Sequence, residues 1–252
     1  MQTKALVAYL DRLLQASQFN DYAPNGLQVS GADEVKKVVT GVTASLALIE
    51  AAIEVGADTI LVHHGYFWKN EQPTLTSYKQ RRIQKLLNNN INLIAYHLPL
   101  DAHPELGNNA QLAKLWQLEV KQEQESQQQA DTLLWLGQLQ EPLLVEIFIQ
   151  CVAQTLNRQP LHLPGGPEVV QNIAWCSGGA QHFIEQAADW GADMYISGEV
   201  SEQTTHLAKE LGIHYLAAGH HATERYGVKA LGVHLRQKFD LEVQFIDIDN
   251  PV

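Results

Sequence analysis

Two adjacent histidines, His63 and His64, directly follow a run of aliphatic and β-branched residues at positions 59–62. Such a run is typical of a buried parallel strand, and ligands of open α/β sheets bind outside the carboxyl ends of strands. Neighbouring side chains on a strand point to opposite sides, so this pair suits two different ligands, such as two metal ions, better than one. Taken alone, the pair fits an ordinary polar loop entrance equally well.

Two later segments also place polar side chains after an apolar strand. In each, a histidine at the strand end is followed four residues later by a carboxylate: residues 91–96 precede His97 and Asp101, and residues 212–219 precede His220, His221 and Glu224. Pro99 predicts that the segment after His97 is a loop and not a helix. If a helix begins at His220, this residue and Glu224 share one face of it at positions i and i+4.

The imidazoles and carboxylates at these strand ends form a set of nitrogen and oxygen ligands. The set fits zinc, iron, manganese or cobalt better than an iron–sulfur cluster or a cysteine-bound structural zinc. Asp101 and Glu224 are candidates for a carboxylate that bridges two ions roughly 3.5–4 Å apart, and such a site activates water for hydrolysis. The repeated placement at strand ends disfavours the alternative, in which these are unrelated polar residues.

The two halves of the sequence repeat each other. Residues 48–64 align without a gap with residues 183–199, and both segments contain an Ile-Glu pair and a Gly-Ala-Asp triplet. Gly198 and Glu199 align with His63 and His64. We therefore predict an α/β fold with an internal duplication of two pseudo-symmetric α/β halves. Each half is expected to contain a β-sheet flanked by helices, with the metal site between the halves.

The repeat also suggests how the chain is divided. We assign residues 1–120 to the first half, 121–170 to a connecting region and 171–252 to the second half, with the C-terminal segment packing back on the first half. Within the connecting region, residues 121–131 are glutamine-rich and polar, which predicts a surface loop or linker.

Composition restricts the location and the partners of the protein. The 252 residues contain two cysteines and no apolar run near the roughly 18 residues of a membrane span. The N-terminus predicts an amphipathic helix with internal charges and not a signal peptide, so we expect a cytoplasmic protein that does not bind membranes. The formal net charge of −11 disfavours nucleic acid as a partner. Lys79, Arg81 and Arg82 form a small basic group for which a solvated helix surface is the favoured interpretation.

Several other residues have weaker patterns. Ser177-Gly178-Gly179 opens a helix and could hold an anion, although a tight turn that the fold needs is favoured. Glu199 and His206 are candidates for lining a cavity, with surface or helix-cap roles equally open. The remaining histidines have no pattern of neighbouring ligand residues and are interpreted as structural or exposed: His103, His162, His182, His214 and His234.

Four motifs together resemble a known family. They are Asp21-Tyr-Ala-Pro-Asn-Gly-Leu-Gln, Val62-His-His-Gly, His97-Leu-Pro-Leu-Asp101 and Gly219-His-His-Ala-Thr-Glu224. In this order, over nearly the whole chain, they resemble the GTP cyclohydrolase I type 2 homologs, also described as Ngg-interacting-factor-three-like proteins. The resemblance implies two divalent metal ions per subunit, zinc, iron or manganese, with the ligands His63, His64, Asp101, His220 and Glu224.

The resemblance also implies roles for neighbouring residues and an assembly. It leaves His97 near the metals but outside the five ligands, so we assign it to support of a ligand or to proton transfer. His221 is left out, because only His220 has the i+4 relation to Glu224. The family implies a homohexameric toroid with the metal sites facing its interior. Some members carry an inserted domain between the halves, which this chain is too short to contain.

The function that we expect from the resemblance is metal-dependent hydrolysis of a nucleotide or related heterocycle. The sequence contains neither a phosphate-binding loop nor a clear run of basic residues for a triphosphate. An alternative is a non-catalytic, metal-containing ring that binds single-stranded nucleic acid or protein partners. Metal storage or delivery is a third alternative, and the sequence does not separate the last two from catalysis.

Overall fold

In a computed structural model, residues 1–122 and 133–252 are described, and they pack into two units. One unit contains Met1–Gly107 and Gly227–Asp249, and the other contains Asn108–Tyr226 and Asn250–Val252. Most of the glutamine-rich segment, residues 123–131, lies outside the described residues. The predicted division at residues 120 and 170 stays a prediction.

The helices and strands alternate along most of the chain. In the first half they are α1 (Thr3–Leu13), β1 (Gly26–Val29), β2 (Lys37–Thr43), α2 (Leu46–Glu54), β3 (Thr59–His64), α3 (Ser77–Asn88), β4 (Asn92–Ala95), α4 (Leu98–Ala102), α5 (Asn108–Leu115) and β5 (Glu119–Gln122). They continue with β6 (Trp135–Leu144), α6 (Val145–Leu156), β7 (Leu161–Leu163), β8 (Val169–Trp175), α7 (Ile184–Asp189), β9 (Met194–Ser197), α8 (Thr204–Leu211), β10 (His214–Ala217), α9 (His220–Lys238) and β11 (Glu242–Phe245).

The sheet of the first unit has the strand order β1-β4-β3-β2-β11. Strands β4, β3, β2 and β11 are parallel, and β1 is antiparallel to β4. Ile60 belongs to an apolar cluster with residues of α2 and α3, whereas Leu61 belongs to a cluster with residues of α1 and α9. Both faces of β3 are therefore covered, which explains why its sequence is a continuous apolar run.

The sheet of the second unit repeats this topology with additional strands at one edge. Its order is β5-β6-β8-β9-β10-β7, with β8, β9 and β10 parallel and β7 antiparallel to β10. The element series α6-β7-β8-α7-β9-α8-β10 thus matches α1-β1-β2-α2-β3-α3-β4. The predicted α/β fold with an internal duplication is confirmed, and the repeat extends further towards the N-terminus of each half than the sequence indicated.

The Gly-Ala-Asp triplets make the same hydrogen bonds in both repeats. Asp58 Oδ2 accepts from the backbone N–H groups of Lys36 and Lys37 at 2.7 and 2.9 Å. In the second repeat, Asp193 Oδ2 accepts from those of Gln171 and Asn172 at 2.9 and 2.7 Å. Each carboxylate therefore holds one strand beside the start of the next, and this shared role explains the triplet that both halves contain.

Two local predictions differ from the structure. The segment after His97 is not a loop, because α4 spans Leu98–Ala102 with Pro99 in its first turn. Proline is tolerated there, since the N–H groups of the first turn have no partner within a helix. Lys79 is 5% exposed and lies 3.2 Å from a carboxylate oxygen of Glu71, so the solvated-surface interpretation is wrong for this lysine.

Among the described helices, none combines the length and the hydropathy of a membrane span.

His162 of β7 and His214 of β10 form a pair across two neighbouring strands. His214 Nε2 donates to the carbonyl oxygen of Pro167 at 2.8 Å, so Nδ1 of a neutral His214 is an acceptor for His162 Nε2 at 3.1 Å. Burial and the adjacent His214 lower the pKa of His162, and Glu146 opposes this only in part. Folding therefore favours the neutral form of His162.

The depressed pKa of His162 predicts a pH-dependent stability. The unfolded chain binds this proton near pH 6.5, so the contribution is complete above that pH and is lost as the pH falls towards the lower pKa of the folded state. We expect the melting temperature of the wild type to fall between about pH 7 and pH 5, and that of His162→Asn to fall less. The exposed His182, changed to Asn, is the control in thermal denaturation. Equal slopes for the wild type and His162→Asn would contradict this explanation.

Candidate metal-binding residues

The carboxyl end of β3 places two imidazoles close together. The rings of His63 and His64 have centroids 4.6 Å apart, closer than a regular alternation of side chains on a strand implies. One nitrogen from each of His63, His64 and His97 lies within 4.8 Å of the others. The structure thus brings together three of the imidazoles that the sequence singled out.

The buried His63 has one nitrogen directed by the backbone. Its Nδ1 lies 3.0 Å from the carbonyl oxygen of Tyr96, which can only accept, so Nδ1 carries the proton. In the neutral ring Nε2 then holds the lone pair, and it lies 3.4 Å from Oδ2 of the buried Asp101. Histidine ligands of metals commonly donate their other N–H to a backbone carbonyl or a carboxylate. His63 therefore has the orientation of a metal ligand.

His97 is oriented by a carboxylate that the sequence analysis did not single out. Its Nδ1 lies 2.7 Å from Asp21 Oδ1, and Asp21 Oδ2 accepts from Asn25 Nδ2 and from the backbone N–H of Leu98. Burial alone would raise the pKa of Asp21, but the hydrogen bonds from these groups and the attraction of His97 lower it below its usual value. The charged Asp21 thus fixes Nδ1 of His97 as the protonated nitrogen and leaves Nε2 for a ligand or a proton.

In the second unit, His220 is the first residue of α9 and has two carboxylate neighbours. Its Nδ1 lies 2.7 Å from Glu199 Oε1, and its Nε2 lies 3.2 Å from Oε1 of Glu224, which is 2% exposed. Burial lowers the pKa of His220, but the hydrogen bonds and charges of Glu224 and Glu199 outweigh burial and raise it to about 9. The predicted i, i+4 relation of His220 and Glu224 is present.

The structure extends the correspondence between His97 and His220 that the sequence indicated. His97 follows β4 and His220 follows the equivalent β10, and each has Nδ1 hydrogen-bonded to a carboxylate. The two carboxylates have different origins, because Asp21 belongs to the loop before β1 and Glu199 follows β9. One usable signal for Glu199 was its alignment with His64, and one for Asp21 was its position in the first motif that carries the family resemblance.

A glycine makes room for the carboxylate of Glu224. Gly178 has a φ of +66°, and a Cβ built there would lie 2.2 Å from Glu224 Oε1 and 3.3 Å from His220 Nε2. The N–H of Gly178 donates to Thr223 Oγ1 at 3.0 Å, and that of Ser177 donates to Asn109 Oδ1. These bonds favour the interpretation of positions 177–179 as a tight turn and not as an anion-binding loop.

The weaker candidates have local roles. His206 is exposed and lies 3.4 Å from a carboxylate oxygen of the exposed Glu202, so it shows no link to the candidate ligands. The other histidines make local contacts: His103 Nδ1 accepts from two backbone N–H groups, His182 packs on Phe183, His234 contacts Tyr9, and the backbone N–H of His221 donates to Val252.

The chemistry of the donor sets fits a divalent metal ion. In the first unit the donors are imidazole nitrogens beside the Asp101 carboxylate, and in the second unit they are His220 and Glu224. Both sets are nitrogen and oxygen donors, as zinc, iron and manganese accept. Because Gly178 has no Cβ, the space beside it is available to the Glu224 carboxylate. These residues could therefore hold metal.

Comparison with known proteins identifies the relatives of this chain. A family model, Duf34/NIF3 (NGG1p interacting factor 3), matches residues 1–251. Proteins named GTP cyclohydrolase 1 type 2 homolog are 54% identical in Allochromatium vinosum, over 98% of this chain and 96% of the relative, and 51% identical in Escherichia coli K12, over 100% of both. A solved structure described as protein ybgI, of unknown function, has a TM-score of 0.96 at 50% identity and full coverage of both chains. The chain therefore belongs to the Duf34/NIF3 family.

Proposed function

We propose that this protein is a metal-dependent hydrolase that acts on a nucleotide or a related heterocycle. The observation that carries the proposal is the convergence of three imidazoles at the carboxyl end of β3, beside the buried Asp101. The name of the relatives, GTP cyclohydrolase 1 type 2 homolog, supports the substrate class. The proposed ligands of two divalent ions are His63, His64, Asp101, His220 and Glu224. The homohexamer implied by the family stays a prediction.

In the proposed reaction, the metal ions and the side chains make different contributions. Two divalent ions, when bound, supply an activated water and stabilise negative charge on the substrate. The chain supplies orientation and proton transfer: His97, with Nδ1 fixed by Asp21, presents Nε2 as a general acid or base. Glu199 fixes His220 in the same manner and leaves Nε2 directed at Glu224.

The experiment that tests this function compares turnover by the wild type and by Asp101 variants. Protein loaded with zinc, iron or manganese is assayed with purine nucleotides, phosphoesters and cyclic amides. We expect Asp101→Asn, which keeps the shape but removes the charge, to lower the rate at least tenfold, as loss of groups around metal sites commonly does. His206→Gln, which changes an exposed histidine, is the control and should retain the wild-type rate. If the wild type turned over none of these substrates faster than Asp101→Ala, the proposal would be overturned and a non-catalytic protein would be favoured.

A further inference from the structure

Two aromatic rings contact His97 and are partly open to solvent. The centroid of Trp68 lies 5.0 Å from that of His97 and 5.8 Å from that of His64. Tyr22 lies 6.4 Å from His97 and is 61% exposed. Trp68 is half-buried, and its ring lies beside two of the imidazoles that the sequence singled out. Both rings thus lie against His97 and keep part of their surface exposed to solvent.

Hydrogen bonds hold the two loops that carry these rings against each other. The backbone N–H of Lys69 donates to the carbonyl of Tyr22 at 2.6 Å. The Gln28 amide bridges both loops, because Nε2 donates to the carbonyl of Pro24 and Oε1 accepts from the backbone N–H of Tyr66 at 2.6 Å. A Cβ at Gly65 would lie 2.1 Å from this Oε1, which explains a glycine directly after the histidine pair.

The loop between β3 and α3 is also held in an unusual conformation. Phe67 and Asn70 have φ values of 64° and 70°, in the left-handed region that residues other than glycine rarely adopt. The buried Lys79 stabilises this conformation, since its Nζ lies 3.2 Å from a carboxylate oxygen of Glu71, donates to the carbonyl of Gln72 and lies 5.1 Å from the ring centroid of Phe67. The position of Trp68 is therefore fixed before any ligand binds.

We propose that Trp68, together with Tyr22, is a stacking surface for the planar heterocyclic ring of the substrate. This rests on the proposed function, because it places that ring beside His97. Aromatic side chains bind bases by their π-faces regardless of base identity, and a preorganised ring loses little entropy on binding. The buried cation of this loop, Lys79, is already paired with Glu71. Because both contacts are aromatic faces, we expect recognition by this surface to depend on the ring of the substrate more than on a phosphate.

The test measures binding of guanosine, GMP and ribose 5-phosphate by equilibrium dialysis to the full chain, with and without added zinc. We expect guanosine and GMP to bind with similar affinity and ribose 5-phosphate not to bind. Trp68→Ala should weaken guanosine binding roughly 5- to 100-fold, and Tyr22→Ala should weaken it less, in line with losses per stacked base. Trp68→Phe keeps an aromatic face and should stay within about threefold of the wild type.

Tryptophan fluorescence provides a second readout. Guanosine should quench the wild type but not Trp68→Phe, while Trp190→Phe, which removes a half-buried tryptophan elsewhere, should keep the quenching. Unchanged guanosine affinity in both Trp68 variants, or no binding to the wild type at millimolar guanosine, would overturn the stacking surface. Binding with the expected pattern but no turnover of any substrate would overturn the hydrolase and leave the stacking surface standing. Turnover of a purine nucleotide with the same kcat/KM by the wild type and by Trp68→Ala would overturn the stacking surface and leave the hydrolase standing.

Discussion

Replacement of Glu224 by alanine is expected to remove most of the metal from the protein. The carboxylate is 2% exposed and lies 3.2 Å from Nε2 of His220, so its loss deletes a buried charged donor that a water does not replace at the same position. His63→Ala should have the same effect, since it removes the imidazole that lies beside Asp101. We expect about two equivalents of metal per chain in the wild type, as the proposed two-metal site requires, and far less in both variants.

Elemental analysis of the purified proteins measures this directly. Glu202→Ala is the matched control, because Glu202 is an exposed glutamate whose loss should leave the metal content unchanged. Each protein is analysed as purified and again after reconstitution with zinc, iron or manganese and removal of excess ion. A wild type without metal above background after reconstitution would contradict the metal site, while the fold would stand.

Substitution of Gly178 by alanine is expected to remove most of the metal without replacing any of the proposed ligands. The new methyl group would lie 2.2 Å from Oε1 of Glu224, so the carboxylate must leave its position. The φ of +66° adds backbone strain, about 1–2 kcal/mol for an L-residue. We expect the metal content to fall to the level of Glu224→Ala and the melting temperature to fall by several degrees.

A second glycine of the same unit separates strain from the clash. Gly191 has a φ of +76°, and a Cβ added there meets nothing within 4 Å. Gly191→Ala should therefore lower the melting temperature by a similar amount but keep the wild-type metal content. If Gly178→Ala binds as much metal as Gly191→Ala, the turn at Gly178 does not control the position of Glu224, and our description of this part of the site is wrong.

Sequence patterns were sufficient for strands β3, β4, β9 and β10 and for the central part of the repeat. The apolar run of β3 reflects burial on both faces of the sheet. The Gly-Ala-Asp triplets reflect the carboxylate that joins two neighbouring strands in each repeat. Helix α4 was mispredicted because proline disfavours the interior of a helix but not its first turn. A proline therefore predicts the end of a helix only where the first residue of that helix is known.

The orienting carboxylates could not be predicted in the same way. Asp21 is 76 residues from His97, and Glu199 is 21 residues from His220, so their hydrogen bonds depend on which loops the fold brings together. No periodicity or spacing rule reports a contact over such separations. The histidines themselves were found because each stands at the end of a recognisable apolar strand, whereas Asp21 stands in a loop without a preceding strand.

Covalent fusion of the two repeats has allowed their strand ends to diverge. Strand β3 ends in two imidazoles, whereas the aligned positions after β9 are Gly198 and Glu199, and Glu199 orients His220 instead of adding a nitrogen donor. An ancestral dimer of identical single repeats would have carried the same residues in both copies. A mutation in such a gene changes both copies at once, so neither could specialise. Duplication within one reading frame removes that constraint, so the aligned strand ends can carry a histidine pair in one repeat and an orienting carboxylate in the other.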